Sequence, residues 1–384
     1  MPLARLYLPL TLLTAVGVVD ARASNTSSHS HAALLSSRAV TPVVRATTSY
    51  GNLADTGYNR DSCTSTAWYG DNVLWTCRDT QTLSTAGVPG NGLVVNTGAW
   101  SGKPSGTSAG TLTLRTPQGY GPLFYPLEGD ECPTNGACSD GTRWVGWPDT
   151  GPAVVFSFDN DGFIKRQHLS GLSLINTPDT TLYHVSQNPV NTNAMPQATV
   201  DTSKFWASNQ VGYGTAATVL NGSYVYLYGS TPNGQLAVAR SALTGFLGAL
   251  NSKSTYQYYV NGGWTASAPT TSTAGIALAN TRGNVQGTVY FSAKWNSFVW
   301  IGGDGFPNAN FYVSTAPAPE GPWTVPTLFY SGAVGTGSLA AYSAVAHPAL
   351  TDGTGNYIFI TWTKTAKSSN GDVYTQPLVR VDWA

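Results

Sequence analysis

Two Arg-Asp pairs lie close together in the sequence and carry the side chains best suited to chemistry. They are Arg60-Asp61 and Arg78-Asp79, and the Gly-Asp-Asn run at 70–72 between them is typical of a turn. This pattern predicts a β-hairpin, which brings its own ends together. Two carboxylates at one place, each preceded by a guanidinium that can hold it ionised, are suited to acid–base catalysis.

The hairpin is the element that must position these two carboxylates. Its predicted strands are the apolar, β-prone runs at 67–69 and 73–75. Cys63 and Cys77 flank the turn at similar distances, as a disulfide across the two strands requires. We therefore expect a hairpin that is crosslinked close to both aspartates.

In an oxidising compartment the four cysteines predict two disulfides, and the chain has two sequons, at Asn25 and Asn221. Four cysteines allow three pairings into two disulfides. We favour the local pairs Cys63–Cys77 and Cys132–Cys138, because the second closes a short Pro-Thr-Asn-Gly loop that turns easily. A metal site is not expected, since the cysteine spacing is wrong for zinc and no histidine is near. Asn221, in a sequon at a predicted hairpin turn, is the expected glycosylation site.

The N-terminal sequence predicts secretion. Residues 1–23 combine a basic residue, an apolar run and an Ala-Arg-Ala end, which is the pattern of a signal peptide. Residues 24–48 are rich in Ser, Ala and Thr and are interpreted as a flexible leader or propeptide, so the folded domain is expected at 49–384. No later run approaches the ~18 apolar residues of a transmembrane helix, and we expect an extracellular protein without membrane association.

Composition narrows the class of partner. Charged residues make up 10% of the chain, with 19 basic and 19 acidic side chains, against a typical ~25%. This balance argues against binding of nucleic acid or of an anionic membrane. Twelve Trp and twenty Tyr, together with many hydroxyl side chains, favour stacking on sugar rings. We expect a polysaccharide or oligosaccharide partner and a monomeric protein.

The sequence predicts an all-β fold. Short β-prone runs alternate with turn residues, and no stretch of twelve keeps a helical period. Three units at 216–240, 287–315 and 344–381 repeat the same order of strands at roughly 60 residues, a long propeller-blade period. About 335 residues divided by that period give about five blades. A single-domain, five-bladed β-propeller is therefore expected, with a β-sandwich as the alternative.

Several short motifs resemble those of one enzyme group. They are residues 60–62 and 74–80, 226–228 with 238–240, 263–264, 320–323, and Tyr342 with 347–348. In these the chain resembles five-bladed β-propeller glycoside hydrolases that act on arabinans and related furanosides. It is most similar to the endo-D-arabinofuranosidases (D-arabinanases), a family first described as a domain of unknown function. Cys77 and Arg78 depart from that pattern, which leaves the substrate open.

The resemblance implies a secreted glycoside hydrolase that cleaves arabinofuranosyl-type linkages in arabinan or D-arabinan. Asp61 and Asp79 would be its carboxylate pair, one protonating the leaving oxygen and the other acting as base or nucleophile. Asp149, beside a proline and two tryptophans, is the best third carboxylate. Arg60 and Arg78 would orient the acids. The alternative for each aspartate is a turn cap or a partner for the neighbouring arginine.

Other side chains are candidates for substrate binding. His347 and Asp304 could reach a central pocket, although a buried histidine and a turn aspartate are the ordinary alternatives. Candidate sugar platforms are four tryptophans, although most tryptophans of a β-fold lie in the core: Trp68, Trp144, Trp147 and Trp264.

Two further functions remain open at this point. A carbohydrate-binding propeller without catalysis, a lectin, would repeat one motif in each blade, whereas Asp61 and Asp79 have no counterparts in the later units. A polysaccharide lyase would need a Tyr or His base, which Tyr342 and His347 could supply. No cofactor is expected, and a structural cation at the propeller axis is left open. The sugar, the linkage, endo or exo action and the stereochemistry also stay open.

Overall fold

The folded part of the chain starts before the boundary expected from the sequence. The computed structural model describes residues 38–384 except 56, 85–87, 91, 105–110, 117–122, 154–158, 178, 189, 244–249 and 284–285. The expected signal peptide at 1–23 and most of the leader lie outside the described residues. A strand already begins at Val44, five residues before the boundary at 49, because its backbone pairs with the last strand of the chain.

The described residues form short strands and two turns of 3₁₀-helix, at Lys253–Thr255 and Pro348–Leu350. The strands are β1 (Val44–Asn52), β2 (Ala54–Asp55), β3 (Tyr58–Arg60), β4 (Thr64–Ala67), β5 (Val73–Cys77), β6 (Thr80–Thr82), β7 (Thr97–Ser101), β8 (Thr113–Leu114), β9 (Thr142–Gly146), β10 (Asp159–Ser170), β11 (Ser173–Asn176), β12 (Asp179–Ser186), β13 (Gln197–Ala207), β14 (Ala217–Asn221), β15 (Tyr224–Ser230), β16 (Leu236–Ala242), β17 (Tyr256–Val260), β18 (Gly263–Thr265), β19 (Gly287–Ser292), β20 (Ser297–Gly303), β21 (Asn310–Ala316), β22 (Thr327–Ser331), β23 (Ala341–Ala346), β24 (Tyr357–Ser368), β25 (Gly371–Thr375) and β26 (Pro377–Trp383).

Five sheets of three or more strands follow one another along the described part of the chain. In order they contain β4-β5-β7, then β11-β10-β12-β13 with β9 also on β10, then β14 to β18, then β19 to β22. The fifth sheet has the order β1-β26-β24-β23, with β25 paired to β24. The antiparallel pairing of β1 with β26 joins the two ends of the fold. Two further ribbons, β2-β8 and β3-β6, flank the first sheet.

The three repeating units predicted from the sequence are confirmed as the third, fourth and fifth sheets. Their central strands β15, β20 and β24 were expected from unbroken apolar runs, and every residue of β20 is buried. A strand covered on both faces shows such a run rather than alternation. Burial of each large apolar side chain contributes about 1.5–3 kcal/mol, so these central strands carry much of the packing free energy.

The predicted hairpin is present, with its first strand shifted. β4 pairs with β5 from Thr64 opposite Thr76 to Ala67 opposite Val73, whereas the sequence placed the first strand at 67–69. The strand ends at Ala67, and the next residue, Trp68, donates its indole N–H to Gln187 Oε1 at 3.0 Å. Trp68 N–H then closes the turn on Asn72 O at 3.0 Å.

Both local disulfides are confirmed. Cys63–Cys77 links residues whose Cα atoms are 4.0 Å apart, and Cys132–Cys138 spans 5.4 Å. Asn221 is exposed at the β14–β15 hairpin, so the sequon is accessible to the glycosylation that the sequence predicts. Within the part of the chain that the structure describes, no helix is long and apolar enough to cross a membrane.

A buried ion pair holds the second sheet to the loop that the Cys132–Cys138 disulfide closes. Arg166 on β10 is fully buried and donates Nε–H to Glu131 Oε1 at 3.0 Å and a second N–H to Oε2. It also donates to Tyr183 Oη at 2.8 Å. A buried charge without its partner is strongly destabilising, so this loop cannot leave the sheet without a large loss.

Glu131→Gln tests the importance of this pair. We expect the free energy of unfolding to fall by about 3–5 kcal/mol, because Arg166 is left buried without a counter-charge. The double variant Glu131→Leu/Arg166→Met should lose clearly less. Arg45→Met is the matched control, since Arg45 is exposed, lies 3.7 Å from Asp382, and leaves that carboxylate paired with Arg380; it should change stability by less than ~1 kcal/mol. Denaturant unfolding measures all three, and equal losses for Glu131→Gln and Arg45→Met would contradict the expectation.

Candidate active site

The closed hairpin brings the two Arg-Asp pairs side by side. β3 and β6 pair antiparallel up to Arg60 opposite Thr80. The next residues continue the contact, since Asp61 N–H donates to Asp79 O at 2.8 Å and Arg78 N–H donates to Asp61 O at 2.9 Å. The proximity that the sequence predicted for the two aspartates is therefore present in the backbone itself.

Asp61 is a buried carboxyl group with hydroxyl donors around it. Its Oδ1 accepts hydrogen bonds from Ser62 Oγ at 2.5 Å and Thr363 Oγ1 at 3.0 Å. Burial raises the pKa of Asp61 above its ordinary value, and the nearby Arg78 guanidinium and the Ser62 hydroxyl oppose that rise. The charge of Asp79 adds to it. The protonated form is thus favoured more at Asp61 than at an exposed aspartate.

The fifth sheet encloses Asp61 from the other side. Tyr342 donates a side-chain hydrogen bond to Asp61, and burial together with the Asp61 charge raises the pKa of Tyr342 far above its ordinary value. Ser62 and Ser343 both have left-handed backbone, with φ of 46° and 57°, and their Oγ atoms are 2.7 Å apart. Left-handed non-glycine residues cost of order 1–3 kcal/mol each and cluster at functional sites.

Arg78 links Asp61 to the third predicted carboxylate. It donates Nε–H to Asp149 Oδ1 at 2.9 Å, and a terminal N–H reaches the same oxygen. Gln286 Nε2 donates to that oxygen at 3.1 Å. Burial alone would lower the pKa of Arg78, but the charges of Asp149 and Asp61 outweigh it and raise the pKa. Arg78 therefore stays charged between two carboxyl groups.

Asp79 has a different set of partners. Its Oδ2 accepts from an Arg143 terminal N–H at 2.8 Å, and its Oδ1 accepts the Trp147 indole N–H at 2.8 Å. The guanidinium carbons of Arg78 and Arg143 lie 5.1 Å and 5.4 Å from the Trp147 ring centroid. Trp147 is therefore tied to guanidinium groups and to Asp79, in contrast to the open sugar platform that the sequence suggested.

Arg60 faces away from Asp61. Its guanidinium binds Asp55 through Nε, Thr97 Oγ1 at 2.5 Å and Thr116 Oγ1 at 2.6 Å. Alternate residues of an extended chain point to opposite faces, so adjacent residues such as Arg60 and Asp61 need not meet. The expectation that Arg60 orients the side chain of Asp61 is therefore wrong. Arg60 instead holds β3 to neighbouring strands.

The other predicted binding residues lie in separate surroundings. Trp264 packs against Tyr226 and Tyr259 on the third sheet, with centroid distances of 5.9 Å and 5.3 Å. Trp144 stacks on a histidine ring at 4.6 Å, and Asp304 accepts an amide N–H at 2.9 Å from the next strand. Together with Trp68 at the far turn of the hairpin, these side chains do not meet at the site.

A polar cavity of about 400 Å³ opens beside Arg78 and Asp149. Its wall runs from the second to the third sheet and includes Lys165, Gln167 and Gln286. No aromatic side chain lines it among the described residues. Among these polar residues only Gln286 has a usable sequence signal, because it immediately precedes the predicted strand at 287–291. The others sit among ordinary loop and strand residues.

A second cavity, also of about 400 Å³, is lined by strands of the first, third and fourth sheets and by two connecting segments. The strand residues are 65–67, 218–220, Val225 and 288–291, and the connecting segments are 150–153, between β9 and β10, and 348–349, between β23 and β24. This lining contains no carboxylate among the described residues. The described part of the chain also shows no group of three His, Cys, Asp or Glu side chains placed to hold a metal ion.

Comparison with known proteins identifies a family and a fold. A family model described as Domain of unknown function (DUF5005) matches residues 157–377, and the comparison with curated proteins gives no match. A suspected hydrolase from Bacteroides ovatus is 17% identical over 86% of each chain, with a TM-score of 0.60, which indicates a shared fold. The Coprinopsis cinerea GH62 α-L-arabinofuranosidase catalytic domain is 11% identical over 90% of this chain and 97% of its own, with a TM-score of 0.41, too distant a likeness to bear on function.

His347 lies in the core rather than at the cavity where the sequence placed it. It is fully buried, with Nδ1 at 2.8 Å from Ser65 Oγ and Nε2 at 2.7 Å from Thr361 Oγ1. Its ring centroid is 4.8 Å from that of Trp75. Both ring nitrogens already have partners, so none is left for a sugar. Burial lowers the pKa of His347 from 6.5 to about 3.

This lowered pKa predicts a loss of stability in acid. The contribution of neutral His347 is complete above pH 6.5 and is lost as the pH falls toward 3, because the unfolded chain takes up the proton first. Between pH 7 and pH 5 the loss should be about 2 kcal/mol. We expect His347→Gln to be less stable than the wild type at pH 7 but to change its free energy of unfolding less with pH, by that amount. Parallel curves for wild type and His347→Gln in urea unfolding would contradict this.

Proposed function

The chain belongs to the DUF5005 family of domains of unknown function, and from this premise we propose that it is a secreted glycoside hydrolase. We infer cleavage of arabinofuranosyl-type linkages in arabinan or D-arabinan, by a monomer. One observation carries the proposal: the guanidinium of Arg78 is bonded to Asp149, which lines a polar cavity, and its charge also acts on the buried carboxyl group of Asp61, whose surroundings are different. A glycosidase typically uses two carboxyl groups whose environments differ, one as the acid and one as the base or nucleophile.

The two carboxyl groups suit different steps. Asp61, whose pKa burial raises, is assigned as the acid that protonates the departing glycosidic oxygen. Asp149, which lines the cavity and accepts bonds from Arg78 and Gln286, is assigned as the carboxylate that activates water or attacks the anomeric carbon. As the carbon–oxygen bond breaks, the leaving group takes the Asp61 proton, and Asp149 takes a proton from water or becomes the glycosyl ester.

Asp79 is assigned a positioning role. Both of its oxygens already accept hydrogen bonds, from Arg143 and Trp147. Its charge acts on Asp61 and raises the pKa of that group further. Asp79 would then support the acid and hold one wall of the site, while the proton-transferring pair is Asp61 with Asp149.

The propeller is the architecture that best joins these features. Five sheets follow in chain order, and β1 completes the last sheet by pairing with β26. The second cavity is lined by strands of three of the sheets and by segments that connect strands of the other two. We propose a five-bladed arrangement around that cavity. The two disulfides and the exposed sequon at Asn221 support the predicted secretion.

A lyase mechanism receives no support from the candidate bases. His347 is buried with both nitrogens bonded, and the pKa of Tyr342 is raised rather than lowered. A base that must take a proton near neutral pH needs a pKa close to that pH. The lectin alternative is decided by whether the protein cleaves the sugars that it binds.

Hydrolysis by aspartate variants is the first test. Asp61→Asn and Asp149→Asn should each lower kcat about 10²–10⁴-fold on arabinan or D-arabinan, because each removes one proton-transfer or nucleophilic group. Asp79→Asn should cost clearly less. Asp71→Asn, in the exposed turn of the same hairpin, is the control and should match the wild type. Circular dichroism and melting curves establish folding. Sugar binding without cleavage by the wild type would replace the enzyme by the lectin.

Ser62→Ala tests the assignment of Asp61 as the acid. The Ser62 hydroxyl donates to Asp61 and lowers its pKa, so its removal should raise that pKa. The basic limb of the kcat/KM profile, where the acid loses its proton, should then move to higher pH. The left-handed backbone at position 62 already carries a side chain, so alanine adds no bulk. A shift to lower pH, or of the acidic limb alone, would assign Asp61 another role.

A further inference from the structure

Lys165 is the feature of the polar cavity that the proposed chemistry leaves unused. The described lining contains two cations, Arg78 and Lys165, and two carboxylates, Asp149 and Asp179. Arg78 is bonded to Asp149, and both residues already have a role in the proposed reaction. The question is therefore what the ammonium group of Lys165 faces.

Asp179 is engaged with other charges. Burial raises the pKa of Asp179, the charge of Glu128 adds to the rise, and Lys204 and Arg166 oppose it. The ion pairs between described residues include none with Lys165. Within the described part of the chain, the cavity thus contains a cation without a carboxylate partner.

Lys165 lies in the same cavity as the proposed reaction centre. Both Lys165 and the proposed carboxylate Asp149 line this cavity of about 400 Å³. The strand that carries Lys165, β10, pairs with β9, whose last residue precedes Asp149 by three positions. A group held by Lys165 would therefore belong to a sugar close to the bond being cleaved.

The rest of the wall favours recognition by hydrogen bonds and charge. It presents the amides of Gln167, Gln210 and Gln286, together with threonine and serine hydroxyls. No aromatic face is available among its described residues, so stacking cannot supply the main binding energy there. A charge-assisted hydrogen bond to an anionic substituent is the strongest single contact that this wall can offer.

We propose that the cavity selects an acidic sugar, with Lys165 binding a carboxylate or sulfate group on the residue next to the scissile bond. The inference rests on the proposed function for the location of that bond, but the binding step does not depend on cleavage. A lysine ammonium group is a point charge that can bind either anion through its N–H donors. The amides would then orient the neutral hydroxyls of the same sugar.

Matched substrates test the proposal. Galacturonate-bearing arabino-oligosaccharides are compared with their carboxyl-reduced derivatives, and sulfated arabinan oligosaccharides with their desulfated parents. Calorimetric binding is measured in an Asp61→Asn background, which blocks the proposed cleavage while leaving the described cavity lining intact. We expect one acidic member to bind more tightly than its neutral partner, and Lys165→Met to weaken only that member by about tenfold to a hundredfold.

Two further variants separate charge from packing. Lys165→Arg keeps the charge and should retain the preference, and Lys367→Met, an exposed strand lysine outside the cavity, should not alter it. Equal binding of acidic and neutral members, no binding of either acidic series, or equal weakening of both by Lys165→Met overturns the inference. Preferential binding that depends on Lys165, with no cleavage by the otherwise wild-type protein, would sustain the inference and reject the hydrolase.

Discussion

The guanidinium of Arg78 is the group on which the site depends. Arg78 follows directly after β5 of the first sheet, and its partner Asp149 lies between β9 and β10 of the second sheet. Gln286, bonded to the same carboxylate, precedes the fourth sheet. An arginine cannot give up its proton, so its burial requires carboxylates nearby. Three sheets are thereby brought to one point, and the polar cavity forms beside it.

The hairpin fixes the positions of Asp61 and Arg78. The Cys63–Cys77 disulfide lies two residues from Asp61 and one from Arg78, and backbone hydrogen bonds join these two residues directly. Ser62 takes a left-handed backbone between Asp61 and the disulfide. A strained residue persists only where its surroundings fix it, and here the disulfide and the strand pairing do so. The carboxyl group of Asp61 is consequently held with little freedom.

The sequence predicted local and periodic features well. The hairpin, both disulfides and the three repeating units depend on residues close in sequence or on regular apolar runs, and they are present. The partners of the charged groups could not be predicted in the same way. Asp149 lies 71 residues from Arg78, and Arg60 binds Asp55 rather than the adjacent Asp61. Such choices depend on which faces meet after folding, and no spacing in the sequence encodes them.

The aromatic residues show why composition misled the search for sugar platforms. Trp264 packs against tyrosines of its own sheet, and Trp75 lies beside His347. The ring of Trp147 lies next to guanidinium groups. Sheets packed around a common centre need large side chains between them, and aromatic rings fill that space. The described cavity is left with amides, hydroxyls and charges. A sugar that binds there must be recognised through its polar groups, so the placement of a few charges, rather than the abundance of tryptophan, determines which sugar this fold can select.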